Sequence, residues 1–326
     1  MTARPKRMKL VVSDLSNIEG RVLAYLAGEE WKLQAFRDYD AGTGPDLYCI
    51  TACSIIGGDP WNLPKKDRNV FGKVPDLAGG YGGGNGAFDT FEKAYGVNLL
   101  EHWPTIERVA DPLIVEQAKA NYADWGRARS PETPELLWIA REVCKLAWRR
   151  RHPATVALWK ATENAARLAI LNPGVVYPAG PKVTACCVSH VSGRWLLFKL
   201  PSGKYLNYYE PRVDANGTIW YQGYASEDGK STIKVWTELS TYGGKIVENE
   251  CQALAGDVLK HSMPAIEAAG YELVLTVHDE DVTQAPDSPI YCSAVLSRML
   301  ADPPPWAPDL PLSAAGFEAR RYKKED

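Results

Sequence analysis

A chain of 326 residues with 45% hydrophobic and 24% charged residues is long enough to bury a sizeable core, as one large domain or two smaller ones. Its net charge of −3 excludes any general attraction to nucleic acid, so such binding must come from local patches. No apolar run approaches the ~20 residues of a membrane helix and no secretory signal opens the sequence, so a cytoplasmic protein with no membrane partner is expected.

Residues 8–14 read as a short buried strand, because Leu10, Val11 and Val12 are apolar and partly β-branched. A helix follows at once: Ser16-x-x-Glu19 fits a capping box, and Ile18, Val22, Leu23 and Leu26 recur at helical spacing. A turn-rich stretch from Asp40 to Pro45 leads to a second helix over 46–56. Residues 62–73 are basic, with Lys65, Lys66, Arg68 and Lys73, and the glycine run Gly79–Gly84 (interrupted by Tyr81) precedes an apolar-periodic stretch to about Leu100. Residues 105–125 and 135–171 are predicted helical. In the latter, Arg141, Lys145, Arg149, Arg150 and Arg151 make a basic face that Pro153 breaks.

From about residue 183 the period changes to that of strands. Val183–Val188, Trp195–Leu200 and Tyr205–Tyr209 are short β runs, with Pro201-Ser202-Gly203 as a hairpin turn. Residues 246–268 return to helix and carry Gln252, Asp257 and Lys260. Leu273–Thr283 reads as strand, turn and strand, with His278-Asp279-Glu280 at the tip. A proline-rich crossover, Asp302–Pro311, and a basic tail with Arg320, Arg321, Lys323 and Lys324 close the chain. Seven cysteines without CxxC spacing argue against a disulfide framework and a zinc site. Most of the eleven tryptophans are assigned to the core and a minority to a binding surface.

Taken singly, these features have ordinary explanations. Asp14 is a turn aspartate, Glu19 completes a capping box, His278-Asp279-Glu280 is a solvated hairpin tip, and the Arg149–Arg151 run is a solvated helix face. The glycine run lacks the GxxxxGK[ST] pattern of a phosphate loop. Their combination in this order is what carries information. Two carboxylates at strand ends can bind divalent cations, and a basic helix between them can hold a triphosphate.

The ordered set resembles the motifs of family A (Pol I-like) DNA polymerases, bacteriophage branch. The first motif is matched by Asp14-Leu15-Ser16-Asn17-Ile18-Glu19-Gly20-Arg21, the second by Gly72-Lys73 with Tyr81-Gly82, and the third by His278-Asp279-Glu280. Lesser matches are Leu200-Pro201-Ser202-Gly203-Lys204, Tyr242-Gly243-Gly244-Lys245, Gln252–Asp257 and Arg321-Tyr322-Lys323. The resemblance implies that Asp14 and Asp279 bind two Mg²⁺ ions and that Lys73, with Arg68, neutralises the triphosphate of a dNTP. Tyr81 would stack on the nascent base pair, Leu77 would stand where the family has Phe or Tyr, and Glu19 would crowd the sugar 2′-position. Gln252, His278, Glu280 and Arg21 would face the primer–template DNA. Arg68 lies five residues before Lys73, where the family has four, and Tyr48 replaces a common histidine.

The implied fold is α+β: a palm of antiparallel sheet and helices from 1–22 and 240–326, with mostly helical fingers from 23–239 that include a β-hairpin region near 183–213. Only 13 residues precede Asp14, so neither a thumb nor an exonuclease domain is expected within the chain. A separate chain supplying both, weak distributive action, or a longer natural chain would account for this. The implied activity is template-directed DNA synthesis. One rival is an RNA polymerase or primase-like enzyme, against which Glu19 argues. The other is a non-catalytic, polymerase-derived DNA-binding subunit, against which the intact Asp14, Lys73 and Asp279 argue.

Overall fold

The computed structural model describes residues 7–226 and 233–322; Lys323 and Lys324 of the basic tail lie outside them. The chain divides into two compact units: one takes in residues up to Tyr25, Lys199–Leu206 and those from Asn249 onward, and the other Leu26–Phe198 and Asn207–Glu248. The class is the expected one, helices combined with antiparallel sheets. No helix among the described residues is long and apolar enough to cross a membrane.

The first unit is built on a four-stranded sheet in the order Ala314–Ala319, Met8–Leu15, Glu280–Pro286, Glu272–Val277. The apolar run Leu10-Val11-Val12 explains why Met8–Leu15 is an interior strand: Val11 and Val12 have no exposed surface. Antiparallel pairing sets Ser13 opposite both Asp281 and Gly316, and Asp14 opposite both Glu280 and Ala315. The helix Ser293–Leu300 packs on the Met8–Leu15 and Ala314–Ala319 strands, with Ser13 Oγ and Ser297 Oγ 2.8 Å apart. Glycine is required at 316, where a Cβ would stand 2.1 Å from the Val12 carbonyl oxygen. The long helix Gly243–Ala268 supplies Leu254, Val258 and Ile266 to the core.

The second unit is largely helical. Its core gathers Val70, Phe71, Phe88, Leu99, Trp103, Ile106, Trp138 and Val143 from helices widely spaced in sequence. A polar knot lies beside it. Asp76 accepts hydrogen bonds from Lys32 Nζ (2.8 Å) and Trp148 Nε1 (2.9 Å), and His152 stacks on Trp148 with ring centroids 3.9 Å apart. Burial works to raise the Asp76 carboxyl, but Lys32, His152 and Trp148 outweigh it and hold it below its ordinary value. Burial, helped by the Lys32 charge, pushes the His152 imidazole down to about 3. A six-stranded antiparallel sheet runs in sequence order through Val176–Pro178, Thr184–His190, Gly193–Lys199, Tyr205–Val213, Ile219–Ser226 and Lys234–Thr241.

Two expectations need correction. The β region does not stop near 213 but continues through two further strands to Thr241. The Arg149–Arg151 run, read as a solvated face, is only partly so: Arg149 is half-buried and donates to the Gly82 carbonyl at 3.2 Å, and further along the same helix Arg141 and Lys145 are buried. Arg141 Nε donates to Glu92 Oε1 at 2.8 Å and its NH2 to Asp89 at 3.1 Å, and Lys145 pairs with Glu142.

His152 generates a pH prediction. Its folded pKa lies below the unfolded value of about 6.5, so the unfolded chain takes up the proton first as pH falls. The stability that neutral His152 contributes is complete above about pH 6.5 and is lost progressively toward pH 3. Asp281, raised to about 6 by burial, and Glu250, raised by burial, act in the opposite direction: the folded state keeps protons that the unfolded chain releases. The His152 contribution is therefore read as the difference in unfolding free energy between wild type and His152→Gln. That difference should shift against the wild type by about 2 kcal/mol between pH 7 and pH 5; a difference independent of pH would refute a neutral buried His152.

Candidate active site

The strand Met8–Leu15 ends where the hairpin of the neighbouring strands turns. His278 and Asp279 form a two-residue turn between Val277 and Glu280, which pair with each other; His278 adopts a positive φ of 57°. The turn places the Asp279 carbonyl where it accepts a hydrogen bond from the Leu15 N–H at 3.1 Å. Ser16 N–H is held by the Ser313 carbonyl at 2.8 Å. Asp14 and Asp279, 265 residues apart in sequence, thus come together at one end of one sheet. Both line a cavity of about 860 Å³, with Ser16, Asn17, Glu280, Phe317, Glu318 and Arg321 among the other residues around it.

The donor set at this cavity suits a hard divalent cation. Two partly exposed aspartates offer oxygen ligands, and no group of three or more His, Cys, Asp or Glu among the described residues forms a self-sufficient metal cage. Mg²⁺ is commonly held in this way, by one or two carboxylates with water and substrate phosphates completing the octahedron.

The remaining predicted residues of this unit differ in placement. Glu280 is buried beneath the cavity and accepts a hydrogen bond from the Tyr322 hydroxyl at 2.8 Å. His278, Glu19 and Gln252 are exposed, Glu19 at the start of the helix Ile18–Ala27 and Gln252 on the long helix Gly243–Ala268. Arg21 departs from its expected place at the DNA. It is 1% exposed, and its guanidinium donates to the carbonyls of Ser16 (2.7 Å) and Pro311 (3.2 Å). Its role is to fix the turn after Asp14 against the proline-rich crossover. The helix starts at Ile18, preceded by Asn17 at φ 50°, one residue later than the capping-box reading requires.

Two contacts were not foreseen. Arg321, noted only as part of the ending motif, lines the carboxylate cavity. Asp257 accepts hydrogen bonds from Ser202 Oγ (2.6 Å) and Lys204 Nζ, which joins two of the lesser motifs.

Lys73, Arg68, Leu77 and Tyr81 lie in the second unit. Arg68–Lys73 is a π-helical segment between the helical turns Lys65–Asp67 and Val74–Gly79, with Val74 N–H bonded to the Asn69 carbonyl five residues back. In such a segment residues five apart stack one turn above another. The five-residue spacing of Arg68 and Lys73 thus coincides with a π-helical segment that both residues bound. Arg68 is braced by a bidentate pair with Asp46 (3.1 and 2.9 Å) and lies over the Tyr48 ring. Lys73 Nζ stands 4.3 Å from the Tyr95 ring centroid. Leu77 follows one turn on and is half-buried, as is Tyr81. Two glycines permit close backbone approaches: a Cβ at Gly72 would meet the Tyr48 carbonyl oxygen at 2.0 Å, and one at Gly244 would meet the Tyr81 carbonyl oxygen at 2.1 Å.

With this geometry, comparison with known proteins identifies the class: the chain is a relative of the family A, Pol I-type DNA polymerases. It is 32% identical over 318 residues to the DNA polymerase of Bacillus phage SP02, covering 96% of this chain and 41% of that protein. It is 29% identical over 134 residues to DNA polymerase I of Streptococcus pneumoniae, covering 39% of this chain and 15% of that protein. Among solved structures it is similar to the POL domain of Pol1 from M. smegmatis in complex with DNA primer-template and dNTP. There the TM-score is 0.49 and the identity 15%, over 96% of this chain and 39% of that one. The chain spans about two fifths of the length of the phage relative. No family model matches it.

The close approach at Gly72 is open to direct measurement. Gly72→Ala should destabilise the chain by about 1–3 kcal/mol or more in urea unfolding, because the methyl group cannot be admitted without moving the helix Leu47–Ile56.

Proposed function

We propose that the chain is the core of a template-directed DNA polymerase, adding dNTPs to a primer 3′-end by a two-metal-ion mechanism. The observation that carries this reading is the pair Asp14 and Asp279, joined through the Leu15–Asp279 backbone hydrogen bond at an open cavity. Asp14 and Asp279 would hold two Mg²⁺ ions, which when bound supply activation of the primer 3′-hydroxyl and charge neutralisation at the leaving pyrophosphate.

The chain's own residues do the positioning, which dominates phosphoryl transfer. Glu280, buried and bonded to Tyr322, holds the hairpin that presents Asp279. Lys73 and Arg68, at the two ends of one π-helical segment, are assigned to the triphosphate. Lys73 also offers a proton to the leaving group. Tyr81 and Leu77 are assigned to the nascent base pair, Glu19 to exclusion of a 2′-hydroxyl, and Gln252 and His278 to the primer–template duplex. Arg21 is left out of this set because it is buried and its guanidinium is turned to the backbone carbonyls of Ser16 and Pro311. The partners are primer–template DNA and dNTPs in the cytoplasm of a bacterial host. The grip of a thumb and an exonuclease would come from outside these 326 residues, on a separate chain or the remainder of a longer one.

Primer extension with dNTPs and Mg²⁺ tests the reading. Wild type should extend a primer, and Asp279→Asn should fall below detection while keeping its fold and its affinity for duplex DNA. A variant that still extends would remove the metal assignment. Glu19→Ala should relax sugar discrimination, raising ribonucleotide relative to deoxynucleotide incorporation by about tenfold or more; an unchanged ratio would return Glu19 to a helix-terminus role.

A further inference from the structure

The six-stranded sheet has two unlike faces. On one, Leu196, Phe198 and Tyr208 are buried, and the helix Pro153–Leu171 packs over the adjoining strands. The other carries a run of aromatic rings at the surface. Trp195 and Tyr209 lie 4.7 Å apart, Tyr209 and Trp236 6.0 Å, and Trp236 and Tyr224 4.8 Å. Tyr224 and Trp236 are directly paired across strands and are 65% and 51% exposed.

Exposure separates these rings from the buried aromatics, among which Tyr122–Trp138 and Phe198–Tyr208 also meet tilted or edge to face, at 53° and 82°. Trp148 and His152 stack nearly parallel, at 12°, and use up each other's faces. The surface rings meet at 50°, 52° and 75°, edge to face or tilted, which leaves ring faces open to a visitor. Between them the surface is polar. Gln222 lies across from both Tyr209 and Glu238, and Lys234 falls two residues before Trp236 and so on the same face. Charge is also locally reversed: residues 176–241 hold seven Lys or Arg against five Asp or Glu, in a chain whose net charge is −3.

We propose that this face is a stacking platform for single-stranded DNA, with Trp236, Tyr224, Tyr209 and Trp195 receiving bases and the neighbouring basic residues receiving phosphates. Open aromatic faces stack on any base, so such a platform is indifferent to sequence, and the local positive excess supplies the phosphate attraction that the whole chain lacks. A protein-binding surface of this size would centre on a desolvated, uncharged patch. Here the Arg212–Glu238 pair sits within the strands that carry the rings. In a polymerase the strand would be the unpaired template. That last identification rests on the proposed function; the binding of single strands does not.

Fluorescence anisotropy of a labelled oligothymidylate of about 16 nucleotides, titrated with the whole chain, tests it. The wild type should bind with an affinity that falls as salt rises, and Trp236→Ala combined with Tyr224→Ala should weaken binding by about tenfold or more with no change in melting temperature. Trp236→Phe, which keeps a ring, should restore most of the loss. An oligonucleotide affinity equal to wild type in the double variant would overturn the proposal, as would no binding by the wild type. So would sedimentation showing that the substitutions dissociate a dimer and leave oligonucleotide affinity intact, because the face would then be an interface between copies. Binding of oligothymidylate without primer extension would sink the polymerase reading and leave this one standing. Extension with ring-independent binding would do the reverse.

Discussion

The backbone hydrogen bond from Leu15 to the Asp279 carbonyl is the constraint on which the candidate site depends. Two aspartates repel each other, and nothing in their own chemistry would bring them together from opposite ends of a long chain. The sheet does so with main-chain bonds that do not depend on charge. Met8–Leu15 is bonded on both sides, to Glu280–Pro286 and Ala314–Ala319, so its end cannot drift. The hairpin turn at His278-Asp279 is tied to that end from the other direction. His278, in the hairpin turn, and Asn17, just past Asp14, both adopt positive φ, the local cost of the two turns at this end of the sheet.

Much of this was legible in the sequence, because the pieces carry local signals. The β-branched run before Asp14 marks a strand, the apolar stretch before His278 marks another, and the two-residue spacing marks a hairpin. The strand Ala314–Ala319 gives no such signal: Ala-Ala-Gly-Phe-Glu-Ala has no β-branched residue, and its small side chains are there because Gly316 must pass the Val12 carbonyl. The π-helical segment at Arg68–Lys73 was equally hidden. Only the five-residue spacing between the two cations pointed to it, and the segment runs from one to the other.

The charges on the helix Glu135–Arg151 show a different limit. Read alone, the helix shows Arg141 and Lys145 only as members of a basic face. Their partners, Glu92, Asp89 and Glu142, include two that lie some fifty residues upstream, beyond the reach of any local period. Once paired, a buried Arg is costly to disrupt, because removing its partner leaves an uncompensated buried charge, but the pair adds little net stability. The Lys32–Asp76 pair, with Trp148 and His152 around it, is a second buried pair of this kind, on the helix Val74–Gly79 that directly follows Lys73.

The three consecutive acids Asp279, Glu280 and Asp281 show how the fold, more than residue type, decides which carboxylate can do chemistry. Successive strand residues point to opposite faces. Glu280 falls in the row with Asp14 and Ala315, under the cavity, and is occupied by Tyr322. Asp281 falls in the row with Ser13 and Gly316, on the side covered by the helix Ser293–Leu300. There it has no exposed surface, and neither carboxylate oxygen has a hydrogen-bond partner. Burial raises it to about 6, because an ion without water or a counter-charge is too costly there. A divalent cation that must keep waters and accept substrate phosphates cannot be served from such a position. Asp279, in the turn and outside the alternation, lines the open cavity and stays partly exposed.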